Sequence, residues 1–188
     1  MAYRTPIDER QLVADLRKPE TASAAFDTLM KVYGEKIYWV IRKMVGSHED
    51  ANDLLQSSFL KVWTNLNNFR GDAKLSTWLH KIAVNESINF LNKERLRNNI
   101  MGDNDSEYIM STLESDPYFD GDELQLAFQK AIAALPEKQR IVFNMRYYDD
   151  MKYEDISEIL GTSVGALKAS YHHALKKVTA AIEANEIT

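Results

Sequence analysis

Apolar residues recur at intervals of three and four along most of this chain, the period of an α-helix with one buried face. The clearest run covers residues 21–45, where Phe26, Leu29, Met30, Tyr33, Ile37, Val40, Ile41 and Met44 share a face. Gly46 stops it, because a helix commonly ends on a residue in the left-handed conformation that glycine adopts freely. Ser47 opens a second helix, with Asp50 three residues on as its capping-box partner. Leu54, Leu55, Phe59, Val62, Trp63 and Leu66 form the predicted core face of that helix. The stretch NNFRGDAKLS reads as a loop. A third helix starts near Ser76 and runs to about Arg97, burying Leu79, Ile82, Ala83 and Phe90. A shorter helix over residues 8–17 precedes all three.

A second helical block begins at Leu124. Leu124, Phe128, Ala131 and Leu135 mark its first helix. Pro136 opens the next, where its missing N–H costs nothing, and Ile141, Val142, Met145 and Tyr148 follow. A third helix spans residues 153–160, with Ile156, Ile159 and Leu160 inward, and Gly161 ends it. A fourth starts after Ser163. No run alternates with period two, and no internal repeat is present. The pattern predicts an all-α protein of two small helical domains, residues 1–98 and 124–188, joined by residues 99–123.

Charge sharpens this division. The chain has 188 residues and a net charge of −5. Residues 1–98 carry 15 Lys and Arg against 12 Asp and Glu, and residues 124–188 carry 8 of each. Residues 99–123 carry 8 acids and no base. This segment, which also holds Gly102, Pro117 and Gly121, lacks sustained helical periodicity and reads as an acidic flexible linker. A plain solvated spacer and a nucleic-acid-like polyanion both fit it. There is no cysteine, hence no disulfide framework and no thiolate metal site. The N-terminus has no apolar core of signal-peptide type, so a cytoplasmic location is expected.

The stretch from Tyr153 to Ala174 has helix-turn-helix spacing. Val164, Leu167, Tyr171, Ala174, Leu175 and Val178 recur at three and four and are assigned to the core. The opposite face presents Gly165, Lys168, Ala169, His172 and Lys176. Small residues at the start of the helix allow close approach to a groove. Its N-terminal amides and the lysines suit phosphates and base acceptors. A helical hairpin with a solvated face has the same spacing. The block is neutral overall, so it would hold DNA weakly by itself, since phosphate neutralisation supplies much of such affinity.

Two further constellations lie in the first block. Trp78, Lys81, Asn85, Asn89 and Asn92 recur on one helix face beside a loop holding Phe69. Stacking surfaces plus amides are what unstacked bases require; the plainer alternative puts Phe69 and Trp78 in the core. Asp50, Asp53 and Gln56, bordered by Phe59, make an acidic-amide face suited to a basic partner helix, or simply to solvent. His172 and His173 point about 100° apart on a helix and cannot chelate one ion together. No nucleophile–base pairing, metal spacing or phosphate loop is present, so neither an enzyme nor a cofactor is expected.

In order and spacing, EDANDLLQSSFLKVW, FRGDAKLSTWLHKIAVNESINFL and ALPEKQRIVFNMRYYDDMKYEDISEILGTSVGALKASYHHALKK resemble a bacterial RNA polymerase sigma factor of the extracytoplasmic-function type, within the sigma-70 superfamily. The resemblance covers residues 21–180. It implies that the first block is sigma-2-like and binds core RNA polymerase through Asp50, Asp53, Gln56 and Phe59. The same block would recognise and melt the −10 element of promoter DNA. The loop with Phe69, Arg70, Gly71, Asp72 and Lys74 would hold a flipped base; Trp78, Lys81, Asn85 and Asn89 would face the DNA. The second block would be sigma-4-like and read the −35 element with Ser163, Val164, Gly165, Ala166, Lys168, Ala169, His172, His173 and Lys176. The acidic linker would thread a basic polymerase channel, and an anti-sigma factor would control the protein. The competing reading is a stand-alone helix-turn-helix regulator, which binds DNA without polymerase.

Overall fold

A computed structural model describes residues 8–69, 71, 73–97, 106–115 and 123–186. Its order is α1 (Glu9–Leu16), α2 (Ala22–Val45), α3 (His48–Thr64), α4 (Leu75–Arg97), α5 (Ser106–Ser115), α6 (Glu123–Ala133), α7 (Glu137–Tyr147), α8 (Tyr153–Leu160) and α9 (Val164–Glu186), with a 3₁₀ turn at Leu66–Asn68. No strand occurs among the described residues. The expected boundaries hold closely. Gly46 closes α2 in the left-handed region at φ 80°. The Ser47 hydroxyl accepts the Asp50 amide at 3.1 Å and starts α3. Gly161 closes α8, and the Ser163 hydroxyl accepts the Ala166 amide at 3.3 Å at the head of α9.

Helices α2, α3 and α4 pack mutually, with α1 laid on α2. Helix α4 is held from several sides: Leu75, Leu79, Ala83, Val84 and Leu91 are buried, and so are the polar Thr77, His80 and Ser87. In the second block α9 packs against α6, α7 and α8. Ile132, Leu135, Phe143, Ala174 and Val178 form a small core there.

The two blocks are not apart. Arg140, Ile141, Val142, Phe143, Asn144 and Met145 are six consecutive buried residues, so α7 is enclosed all round. Phe143 faces the small core, while Ile141, Val142 and Met145 belong to the same apolar cluster as α2 and α4. Arg140 donates to the carbonyls of Ala133 and Leu135 at the end of α6. The acidic segment also differs from a featureless spacer, because it contains α5. Ile109 lies against Gly46, where an added Cβ would come within 3.1 Å of the Ile109 carbonyl. The Tyr108 ring meets Phe90 at 6.4 Å.

His80 is 2% exposed, and its Nδ1 hydrogen bonds to the Ser76 carbonyl at 2.7 Å. Burial pushes its pKa below the usual imidazole value; Lys36 and Lys43 act the same way, while the Ser76 carbonyl and Asp149 push back. The unfolded chain therefore takes up a proton near pH 6.5 that the folded chain resists. Stability is present above that pH and falls as pH drops through it. Melting curves from pH 7.5 to 5.5 should show this loss, and His80→Gln should flatten it. An unchanged profile in the variant would assign the dependence to other groups.

Candidate nucleic-acid and partner surfaces

Helix α3 buries Ala51, Leu54, Ser58, Phe59 and Val62. Among the positions left outward, Asp53, Gln56, Leu60 and Trp63 are spaced three and four apart in one stripe. Leu60 is 64% exposed and Trp63 is 43% exposed. This corrects two assignments. Phe59, placed on the core face by periodicity and at a partner contact by the resemblance, keeps only the first place: it is 4% exposed and meets Phe26 edge-on at 6.1 Å. Trp63, expected in the core, lies at the surface with one side against Phe26, ring centroids 4.9 Å apart. For Trp63 the cause is phase: it sits on the border of the apolar arc, and only packing against α2 decides whether it turns in. Asp50 stands at the head of the stripe, where its carboxylate accepts the Tyr108 hydroxyl of α5 at 3.0 Å. Burial, followed by the Asp50 charge, pushes the Tyr108 pKa well up.

On α4 the stripe Lys81, Asn85, Asn89 and Asn92 is exposed, as its spacing predicts. Trp78 is half-buried at its upper end and lies against Phe69, centroids 5.0 Å apart. Phe69 itself is 6% exposed, and its carbonyl accepts the Arg17 guanidinium. The core alternative therefore holds for Phe69: it anchors the loop from beneath rather than offering a free ring to a base. Gly71 and Lys74 are exposed. Arg70 and Asp72 lie outside the described residues. The Lys81 ammonium is not directed to open solvent alone; it approaches the Glu158 carbonyl, near the end of α8, at 3.5 Å.

The helix-turn-helix is formed by α8 and α9. Gly165, Ala166, Lys168, Ala169, His172, His173 and Lys176 are exposed, as is the capping Ser163, and Val164 is half-buried. Leu167, Ala174 and Val178 turn inward. Leu175, expected inward, is exposed and joins the outer side. Tyr153 lies between two cations, with Arg146 at 5.0 Å and Lys168 at 5.7 Å from its ring centroid. The outward face of α9 thus pairs small residues at its start with lysine and histidine further along, in the arrangement a helix needs to enter a groove.

Two parts of the chain match known families in this order: sigma-70 region 2 over residues 29–97 and sigma-70 region 4 over residues 125–178. The ECF RNA polymerase sigma factor SigW of Bacillus subtilis is 31% identical over 165 residues, covering 81% of this chain and 88% of that protein. The RNA polymerase sigma-H factor of Pseudomonas aeruginosa is 28% identical over 195 residues, covering 95% of this chain and 96% of that protein. In fold, the chain resembles CnrH in complex with the cytosolic domain of CnrY, at TM-score 0.67 and 20% identity, over 94% of this chain and 97% of that one. It also resembles the sigma factor RpoE in complex with the anti-sigma factor NepR from Bartonella quintana, at TM-score 0.65 and 19% identity, over 84% and 96% of the two chains. With regions 2 and 4 in sequence, and a curated ECF sigma factor matched over most of both lengths, this chain belongs to the sigma-70 family as a sigma factor of the ECF type.

Proposed function

We propose that the sigma-factor activity divides among residues 1–98, 99–123 and 124–188 as polymerase binding with −10 recognition, tether, and −35 recognition. The observation that carries this reading is the set of three outward stripes, each with a different chemistry. The stripe on α3 is acidic at one end and apolar at the other: Asp53 and Gln56, then Leu60 and Trp63. It suits a partner helix that offers both a base and an apolar ridge, as a docking surface on core polymerase would. An exposed tryptophan flanked by leucine is the kind of anchor that dominates interface energetics. Asp50 heads this stripe, and buried Phe59 stiffens it from behind.

The stripe on α4 carries amides and one ammonium, with Trp78 and the 69–74 loop at its upper end. These are donors and acceptors for base edges, with an aromatic ring beside them, and they serve opened rather than paired DNA. Helix α9 presents its N-terminal amides, Lys168, His172, His173 and Lys176 to duplex DNA, and this is the −35 reader. Each head grips weakly, since neither block is strongly basic. Tethered on one polymerase, the second contact becomes intramolecular and gains from effective concentration. The protein acts by binding, with no bond-making step of its own. It works where polymerase works, in the cytoplasm; no helix among the described residues is long and apolar enough to cross a membrane. One fold neighbour, the sigma factor RpoE from Bartonella quintana, is in complex with the anti-sigma factor NepR, which supports control of this chain by an anti-sigma factor.

The test is run-off transcription with core polymerase on fragmented genomic DNA. Starts that appear only with this protein support the reading, and their upstream sequences supply both elements. Lys168→Ala should lower −35-dependent initiation about tenfold, the scale of one good base contact. Asn85→Ala should slow promoter opening more than closed-complex binding. Gel shifts by the protein alone, without any new start, would instead favour the stand-alone regulator.

A further inference from the structure

A cavity of about 790 Å³ opens between α2, α3, α5, α6 and α7. Its size lies inside the range of about 300–1,000 Å³ typical of small-molecule sites. None of its lining residues belongs to the stripes on α3, α4 and α9. Leu55 of α3, Ile109 of α5, and Ile132 and Ala133 of α6 supply apolar wall. Tyr38 and Trp39 of α2 add an aromatic corner, with ring centroids 5.2 Å apart and planes at 75°. Trp39 is 52% exposed, a large ring that none of the assigned surfaces uses.

Gly34 marks the same space. It lies in the interior of the 24-residue α2, where only proline is less favourable than glycine. A Cβ added there would meet nothing within 4 Å. Close packing therefore does not call for glycine at this position. What the missing side chain leaves is room in the cavity that Gly34 lines.

The polar lining has a sign. Arg42 and Arg140 bring two guanidinium groups, Lys43 is paired with Asp149 at 2.6 Å, and Glu35 is the one carboxylate among the described lining residues. Arg140 is 2% exposed and donates to the carbonyls of Ala133 and Leu135, while Arg42 donates to the Gly46 carbonyl. These contacts fix where the two guanidinium groups stand. A hydroxyl donor stands on the same wall. The Asn52 amide donates to His48 Nε2 at 2.9 Å, so the imidazole carries its proton on Nδ1 and gives it to the Tyr38 oxygen at 2.7 Å. The Tyr38 hydroxyl hydrogen is then left to donate to a bound molecule.

We infer that this cavity binds a small aromatic carboxylate, with its ring against Trp39 and Tyr38 and its carboxylate toward Arg42, Arg140 and the Tyr38 hydroxyl. Guanidinium groups match a carboxylate in both charge and geometry. The two aromatic planes match a flat ring by stacking on one and meeting the other edge-on. The apolar wall then takes up the rest of the ring system.

Calorimetric titration of the full chain with 1-naphthoate should show saturable binding of one molecule per chain. The alcohol 1-naphthalenemethanol keeps the rings and loses the charge, and should bind at least about tenfold more weakly, the scale of one charged hydrogen bond. The cation 1-naphthylmethylamine should show no binding. Gly34→Leu fills the space and should abolish naphthoate binding. It should also raise the melting temperature by about 2–4 °C, because leucine suits a helix interior better than glycine. Loss of the site is thereby separated from loss of the fold. Arg42→Gln should bring naphthoate down to the affinity of the alcohol and leave the alcohol unchanged. Naphthoate binding retained in Gly34→Leu would overturn the location. Equal affinities for the acid and the alcohol would overturn the anionic class. No saturable binding of naphthoate to the parent chain would overturn the proposal outright and leave the cavity to a side chain of a partner protein.

Discussion

Trp63→Ala should reduce affinity for core RNA polymerase about 30-fold, the effect of losing one interface anchor worth about 2 kcal/mol. Its cost to the fold should be far smaller. Trp63 gives up one edge-on contact with Phe26, about 1 kcal/mol. Phe59→Ala should do the reverse. Its ring is 4% exposed, and truncating a buried phenylalanine costs about 3–5 kcal/mol of stability. Any loss of polymerase binding in Phe59→Ala should then track the fraction unfolded. Paired measurements of melting temperature and polymerase affinity on the two variants separate the roles. Wild-type affinity in Trp63→Ala would remove the stripe Asp53, Gln56, Leu60 and Trp63 as the docking surface.

That crossing of roles marks where the sequence is legible and where it is not. Local signals carry through because they act within a few residues. Gly46, Ser47, Gly161 and Ser163 stop and start helices by their own conformations and hydroxyls, and the helices begin and end there. The outward stripe of α4 is equally readable, since Lys81, Asn85 and Asn89 are polar on an otherwise enclosed helix. Periodicity locates an apolar arc but not its edges, so it places Phe59 correctly inside and Trp63 inside as well, where the structure leaves it at the surface. It also put Leu175 in the core. The contact between the two blocks leaves no local trace at all, because Lys43 and Asp149, which pair across it at 2.6 Å, are 106 positions apart. Helix α7 shows the same limit: six consecutive buried residues break the one-face pattern, and only the presence of both blocks explains them. Helix α5 was hidden for a related reason. Tyr108 and Ile109 find their partners on Asp50, Phe90 and Gly46, and the acidic residues around them read as spacer.

Phe143→Ala should collapse the second block while leaving the first able to bind polymerase. Phe143 is 0% exposed and meets Phe128, Tyr147 and Tyr171 with ring centroids 6.3, 5.1 and 5.8 Å away. Truncation costs about 3–5 kcal/mol. A block of some 65 residues has about 3–10 kcal/mol in all, at about 0.05–0.15 kcal/mol per residue. One substitution therefore removes most of its stability. Far-UV helicity should fall by the share of α6 to α9, and −35-dependent starts should vanish. The stripe on α3 lies in the other block and should still bind core polymerase. If Phe143→Ala instead lost polymerase binding in step with −35 reading, the blocks would stand or fall as one folding unit. The division at residues 99–123 would then have no energetic meaning.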